Sequence, residues 1–251
     1  MMATTRRAVR RNRDADWNAW PVAEYLAENY RQMHPCDRGV IHHHCAFFRQ
    51  FAPGSLDRTL ELGAGPNLYP LMLATGAARR VEALEPGAAS RAYLRSQLIY
   101  GPEDSWEPFY ALARALDPGL PPTLTEALTR VHVVQGDAGD LVDGHYDAAS
   151  MNFVAESVTE DFGEFTALCA AFARAVRPGG GLVAAFMERM PSYRIGHGPV
   201  WPACPVDESA LRAVFGPRTA DLRISRLAKD RTLPEYGDTG VLLLTARRPG
   251  P

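Results

Sequence analysis

The sequence predicts a Rossmann-like α/β fold: a seven-stranded, mostly parallel sheet with helices on both faces and an N-terminal helical cap. Three observations carry that expectation. Between Arg58 and Ala246, short apolar runs alternate with amphipathic stretches, the pattern of repeated βα units. One run, Leu60-Glu61-Leu62, leads directly into Gly63-Ala64-Gly65-Pro66-Asn67, a strand feeding a glycine turn that opens a helix. An acid, Glu85, stands just past the next strand.

In chain order, residues 17–34 show helical spacing through Trp17, Trp20, Tyr25, Leu26 and Tyr30 up to a break at Pro35, and a second helix is expected over Gly39–Phe51. Strands are expected at Thr59–Leu62, Arg80–Leu84, Val131–Gln135, Asp147–Asn152, Gly181–Met187, Arg223–Lys229 and Val241–Ala246. Helices fill the gaps at Leu68–Thr75, Ala88–Leu98, Phe162–Val176 and Glu208–Phe215. Arg177-Pro178-Gly179-Gly180-Gly181 separates a helix from the strand after it, and the last two strands suit an antiparallel hairpin that completes the sheet. Residues 100–125, with Trp106, Pro108, Pro118, Pro121 and Pro122, read as a surface insertion between the second and third strands. The division expected is a disordered basic tail over residues 1–14, carrying Arg6, Arg7, Arg10, Arg11 and Arg13, and one domain over 15–251 whose residues 15–52 form the cap.

With 27 Lys and Arg against 29 Asp and Glu, the net charge of −2 offers no broad footprint for a nucleic-acid backbone or an anionic membrane, which favours a small-molecule partner. No apolar stretch follows the N-terminal charges and no run reaches membrane-spanning length, so a cytoplasmic location is expected. The four cysteines, Cys36, Cys45, Cys169 and Cys204, are scattered and read as reduced thiols. His42-His43-His44-Cys45 is not read as a metal site, because neighbouring helical residues point about 100° apart. Abundant Ala, Arg, Gly and Pro suggest a GC-rich bacterial source.

A dinucleotide-binding turn wants a third glycine or an alanine where this chain has Leu68, and Pro66 follows the second glycine at once. Glu61-Leu62-Gly63-Ala64-Gly65 instead resembles the first motif of S-adenosylmethionine-dependent methyltransferases. At the end of the second strand Glu85 suits the two ribose hydroxyls, and Asp137, in Gln135-Gly136-Asp137-Ala138, suits the adenine amino group.

Further motifs narrow the resemblance. Trp20 followed by Tyr25-Leu26-Ala27-Glu28-Asn29-Tyr30, Gly63 to Tyr69, Trp106 with Pro108, Arg177-Pro178-Gly179-Gly180, and Ser192-Tyr193-Arg194-Ile195-Gly196 resemble, in order and spacing, the nicotinamide, phenylethanolamine and thioether methyltransferase family. That resemblance implies the class I methyltransferase fold and S-adenosylmethionine as cofactor, with S-adenosylhomocysteine as product. It also implies cofactor contacts from Tyr25, Tyr30, Gly63, Ala64, Gly65, Asn67, Tyr69, Glu85, Ser90, Asp137, Ala138 and Asn152. The chain departs from the animal members by Glu85 for Asp, Ser90 for Asn, Asn29 for a second adjacent tyrosine, and its own segment Gly198 to Pro205.

Ligands on open α/β sheets sit beyond the carboxyl ends of the strands, so the acceptor should meet Asn29 from the cap and Asn152, Phe153, Glu156, Phe186, Met187, Glu188, Tyr193 and His197. Phe153, Phe186 and Met187 suit an apolar slot, or plain core. Tyr25, Asn152, Glu188, Tyr193 and His197 are the catalytic candidates, with Glu188 placed to hold an ammonium or take its proton. The expected activity is methyl transfer to a small nitrogen-containing aromatic metabolite, indole-like or an arylalkylamine, in specialised metabolism. The alternatives are a catalytically silent binding module, or O- or S-methylation. Pro66 and Leu68 count against a nicotinamide oxidoreductase, and no Asn-Pro-Pro-Tyr-like box supports a nucleic-acid methylase.

Overall fold

A computed structural model describes residues 9–250. Its strands are β1 (Leu56–Leu62), β2 (Ala78–Glu85), β3 (Val131–Gln135), β4 (Tyr146–Asn152), β5 (Val176–Glu188), β6 (Tyr193–Arg194), β7 (Val200–Trp201), β8 (Ala220–Ala228) and β9 (Gly240–Arg247). Its helices are α1 (Val22–Asn29), α2 (Pro35–Phe48), α3 (Tyr69–Ala74), α4 (Ala88–Tyr100), α5 (Glu107–Leu116), α6 (Leu124–Leu128), α7 (Phe162–Ala175) and α8 (Glu208–Phe215). Seven strands form one sheet of order β3-β2-β1-β4-β5-β9-β8, and β6 and β7 pair separately. The run from β3 to β5 is parallel, and β9 lies antiparallel between β5 and β8. The strand order reverses between β1 and β4, so a crevice opens beyond their carboxyl ends.

Alternation along the strands sorts the core into two layers. Ala148, Val183, Ala185 and Met187 face α2, α3 and α5. Leu60, Leu62, Ala149, Leu182, Ala184 and Phe186 face α7 and α8. Local caps set where the helices begin: Asp161 Oδ1 accepts from Glu164 N (3.0 Å) at α7, and Asp207 Oδ1 from Ala210 N (3.1 Å) at α8.

Three expectations need correction. Residues 17–34 are not one helix: a single 3-10 turn (Trp17–Ala19) precedes Pro21, α1 ends at Asn29, and Pro35 begins α2 instead of breaking a helix. Proline fits that first-turn position because no helical N–H is needed there. Second, the stretch read as a surface insertion enters the core. Trp106, Phe109, Tyr110 and Ala113 are buried against α2 and α3, with Tyr69 stacked on Phe109 at 5.7 Å between ring centroids. Pro108 sits in the first turn of α5, and Phe109 and Ala113 share a helix face. Third, part of the expected disordered tail is docked. Arg10 donates to Glu160 through Nε (3.1 Å) and Nη2 (3.0 Å), and Asn12 N donates to Glu164 (3.0 Å). Arg6 and Arg7 lie outside the described residues.

Because Phe109 is fully buried, Phe109→Ala should cost about 3–5 kcal/mol in a urea titration. A surface insertion would show a change within about 0.5 kcal/mol.

Candidate active site

The turn after β1 sets the geometry. Gly63 (φ 65°) and Gly65 (φ 55°) both occupy the left-handed region that glycine enters without steric cost. A Cβ on Gly63 would also stand 2.6 Å from Val154 Cγ1. Beside Gly65 a Cβ would meet nothing within 4 Å, so that glycine is required by the backbone and leaves an open cradle. Glu85 ties this turn to the next one: Oε2 accepts from Gly65 N (2.8 Å) and Oε1 from Gly87 N (2.7 Å). Burial pushes the Glu85 carboxyl up, against the pull of the two amide bonds. Each carboxylate oxygen keeps a lone pair for a further donor, the pattern a vicinal diol needs.

Beneath the turn lies a buried polar layer. Glu61 is buried between strands and accepts from Ser150 Oγ and from Asn152 Nδ2 (3.1 Å). Burial pushes its carboxyl up to about 7, with those hydrogen bonds opposing. Asn152 Oδ1 is buried without a partner, at the end of β4 where Phe153 takes a left-handed φ of 58°. Non-glycine residues in that region store strain and concentrate at functional sites. His44, on α2, is buried, pairs through Nδ1 with Val40 O (3.0 Å) and is pushed down to about 3 by burial. His43 instead reaches Leu244 O (3.2 Å), and His42 is exposed, so the three histidines diverge.

The crevice continues into one cavity of about 1450 Å³ of empty space, its open mouth included. Beyond the glycine turn its wall is aromatic. Trp20 meets Tyr25 at 5.4 Å and Tyr193 at 6.2 Å, and Tyr193 meets Tyr236 at 6.1 Å between ring centroids. The Tyr25 and Tyr30 hydroxyls are 3.2 Å apart, Tyr193 Oη donates to Ser157 O (3.2 Å), and Asn29 Nδ2 donates to Tyr236 Oη (2.9 Å). A strap of residues 10–20 borders the opening. Trp17 Nε1 donates to Asn12 Oδ1 (2.7 Å), Ala88 N donates to Asn18 Oδ1 (2.9 Å), and Trp17 stacks on Trp201 at 5.1 Å.

The cavity brings together Tyr25, Asn29, Tyr30, Gly63, Ala64, Gly65, Asn67, Glu85, Ser90, Asp137, Ala138, Asn152, Phe153, Met187 and Tyr193. Five expected residues stand elsewhere. Phe186 points to the opposite sheet face from Met187, where it packs on Phe165 and Phe215. Glu188 alternates away likewise: Arg226 Nε (2.8 Å) and Thr239 Oγ1 (2.6 Å) donate to its Oε2. Burial works against that charge, but the two bonds together with the charges of Arg226 and Arg189 outweigh it and hold the carboxyl below its usual value. Glu156 is sealed in the core, where Met187 N donates to Oε1 (2.8 Å) and burial pushes the carboxyl up to about 8. His197 is exposed on the loop between β6 and β7 and lines no part of the cavity. Tyr69 lies under the crevice floor, buried, its hydroxyl without a partner.

Sequence reasoning passed over Asp37, Trp17, Met190, Leu233 and Tyr236, which line the cavity. It took Glu61 only as part of a motif and Trp20 only as part of a resemblance. Asp37 sits three residues into a helix start and reads as a cap; Leu233 and Tyr236 come from the loop joining β8 to β9 and carry no local signal.

No family model and no curated protein matches the sequence. Solved structures do. The N-methyltransferase NodS from Bradyrhizobium japonicum, in complex with S-adenosylhomocysteine, is 12% identical over 93% of this chain and 95% of its own, with a TM-score of 0.57. The DhpI complex with S-adenosylhomocysteine is 21% identical over 94% of each chain, TM-score 0.55. The fold is that of the class I methyltransferases. The [4+2]-cyclase SpnF shares it too, at 16% identity over 94% of each chain with a TM-score of 0.58, so the fold alone does not fix the chemistry.

No helix among the described residues is long and apolar enough to cross a membrane. The sealed Glu156 gives a pH signature. Its raised value means that its contribution to folding is full below the ordinary Glu value of 4.5 and lost as the pH rises to about 8. Over that window stability should fall by up to about 1.4 kcal/mol per pH unit from this group. Urea midpoints for Glu156→Gln should decline less steeply than for the wild type; parallel slopes would show that Glu156 ionises in the folded chain at no cost.

Proposed function

We propose that this chain is an S-adenosylmethionine-dependent methyltransferase acting on a small nitrogen-bearing aromatic molecule, an indole or an arylalkylamine, in specialised metabolism. One observation carries the reading: the Glu85 clamp on the glycine turn opens, within a single cavity, onto a chamber walled by Trp20, Tyr25, Tyr193 and Tyr236. The motif order that resembles the nicotinamide, phenylethanolamine and thioether methyltransferases supports the same class of acceptor.

S-adenosylmethionine supplies an activated methyl group on a sulfonium. In this reading the ribose hydroxyls donate to the free lone pairs of Glu85, beside Ser90, and Asp137 and Ala138 meet the adenine. Asn67, Tyr25 and Tyr30 lie along the methionine end, where aromatic faces stabilise a soft cation without attacking it. A dinucleotide is poorly served: Asn67 Oδ1 already takes Tyr69 N (3.2 Å) and Pro70 has no N–H, so the helix start lacks the donors a pyrophosphate needs.

The protein's work is alignment and exclusion of water, which can supply on the order of 7–11 kcal/mol. Phe153 and Met187 hold a flat ring, while Asn29, Asn152 and the Tyr25 and Tyr193 hydroxyls fix its polar edge. Trp17 and Trp20 cover the mouth. No side chain is required as a base, because an amine acceptor enters neutral and sheds its proton after transfer. A chamber beyond the adenosyl crevice favours a second ligand over a silent binding module.

Incubation with methyl-labelled S-adenosylmethionine and a panel of indoles, arylalkylamines, pyridines and thioethers, read by mass spectrometry, should place label on an indole or an arylalkylamine. Label confined to thioethers or nucleic acid refutes the acceptor class; S-adenosylhomocysteine binding without turnover of any acceptor points to the silent module. Glu85→Ala removes charge-assisted hydrogen bonds each worth about 1.5–3 kcal/mol, so S-adenosylhomocysteine affinity should fall by about tenfold or more in calorimetry. Unchanged affinity would remove Glu85 from the site.

A further inference from the structure

Asp37 is a carboxylate in an unusual setting. It stands in the first turn of α2, is 4% exposed and lines the cavity. Its one hydrogen bond is local: Oδ2 accepts from His34 N (2.9 Å). Among the described residues no Lys, Arg or His forms an ion pair with it. A second acid, Asp230, adds negative charge nearby by accepting from Cys36 N (2.7 Å), and Asp37 is pushed up to about 7 by burial first and by Asp230 as well, against the His34 bond. Buried carboxylates are ordinarily paired, so the missing cation is the feature to explain.

The surroundings say which cation. Asp37 lines the cavity together with Tyr25 and Tyr30, whose hydroxyls stand 3.2 Å apart. A buried acid with no paired cation, lining the cavity, is complementary to an ammonium. We propose that Asp37 binds the α-ammonium of the cofactor's amino-acid end, on the stretch of wall it shares with Tyr25 and Tyr30. This rests on the methyltransferase reading above and adds a positioning residue contributed by the helical cap. Asp37 thereby couples the cap to the ligand: α2 is held in place by the same charge that orients the methionine chain.

The test compares two ligands that share the adenosyl group. S-adenosylhomocysteine carries the amino-acid end; 5′-deoxy-5′-methylthioadenosine lacks it. Asp37→Asn keeps an acceptor for His34 N, so the helix start is preserved. By calorimetry it should weaken S-adenosylhomocysteine at least tenfold and leave methylthioadenosine within about twofold. Equal loss for both ligands, or unchanged affinity for both, overturns the proposal, and so does a variant that keeps S-adenosylhomocysteine but loses an arylalkylamine, which would assign Asp37 to the acceptor. Wild-type protein that binds neither nucleoside overturns the methyltransferase reading itself, and this inference with it. Should the variant not fold, wild type is titrated with a deaminated S-adenosylhomocysteine in which hydrogen replaces the ammonium: tenfold weaker binding supports the role of Asp37, and equal binding overturns it.

Discussion

The constraint on which the crevice depends is the pair of hydrogen bonds that Glu85 accepts from Gly65 N and Gly87 N. A single side chain at the end of β2 thereby joins the turn that follows its own strand to the turn that follows β1. Both turns need glycine, one because its φ of 55° is left-handed and the other because a Cβ would stand 2.9 Å from Trp17 O. The strap over the mouth therefore rests on the same turn that the carboxylate secures. Replacing the acid loosens two backbone segments together.

Below this clamp the protein keeps polar groups where a core would ordinarily be apolar. Glu61, Ser150 and Asn152 lie on the sheet face that meets α2, and His44 reaches toward them from that helix. Such a layer is costly unless satisfied, and it is satisfied only in part, since Asn152 Oδ1 and His44 Nε2 lack hydrogen-bond partners. Asn152 lies at the switch point of the sheet and lines the cavity, whereas His44 is sealed behind it.

Much of this was legible in the sequence because it rests on local chemistry. The glycine turn, the acid one strand later and the alternation of short apolar runs are all short-range signals, and the seven strands fall where those signals put them. What was not legible depends on parity and on distant partners. Phe186, Met187 and Glu188 are consecutive, so a strand's two-residue period can send only Met187 into the cavity. Asp37 reads as a helix cap because it is one; that it also lines the cavity appears only in the folded chain. Prolines made residues 100–125 look like loop, whereas Pro108 sits in the first turn of a helix whose Phe109 and Ala113 complete the core.

The mouth of the cavity has one more property. Of the chain's four tryptophans, Trp17 and Trp20 line it and the buried Trp201 packs behind them, with Trp20 at 4.8 Å and Trp17 at 5.1 Å from the Trp201 ring, while Trp106 is buried against α2 and α3. Two indoles at the entrance, packed on a third, give the protein an intrinsic optical reporter. A ligand entering past Trp17 and Trp20 changes the surroundings of both rings, so their emission is expected to report its entry in the unlabelled chain.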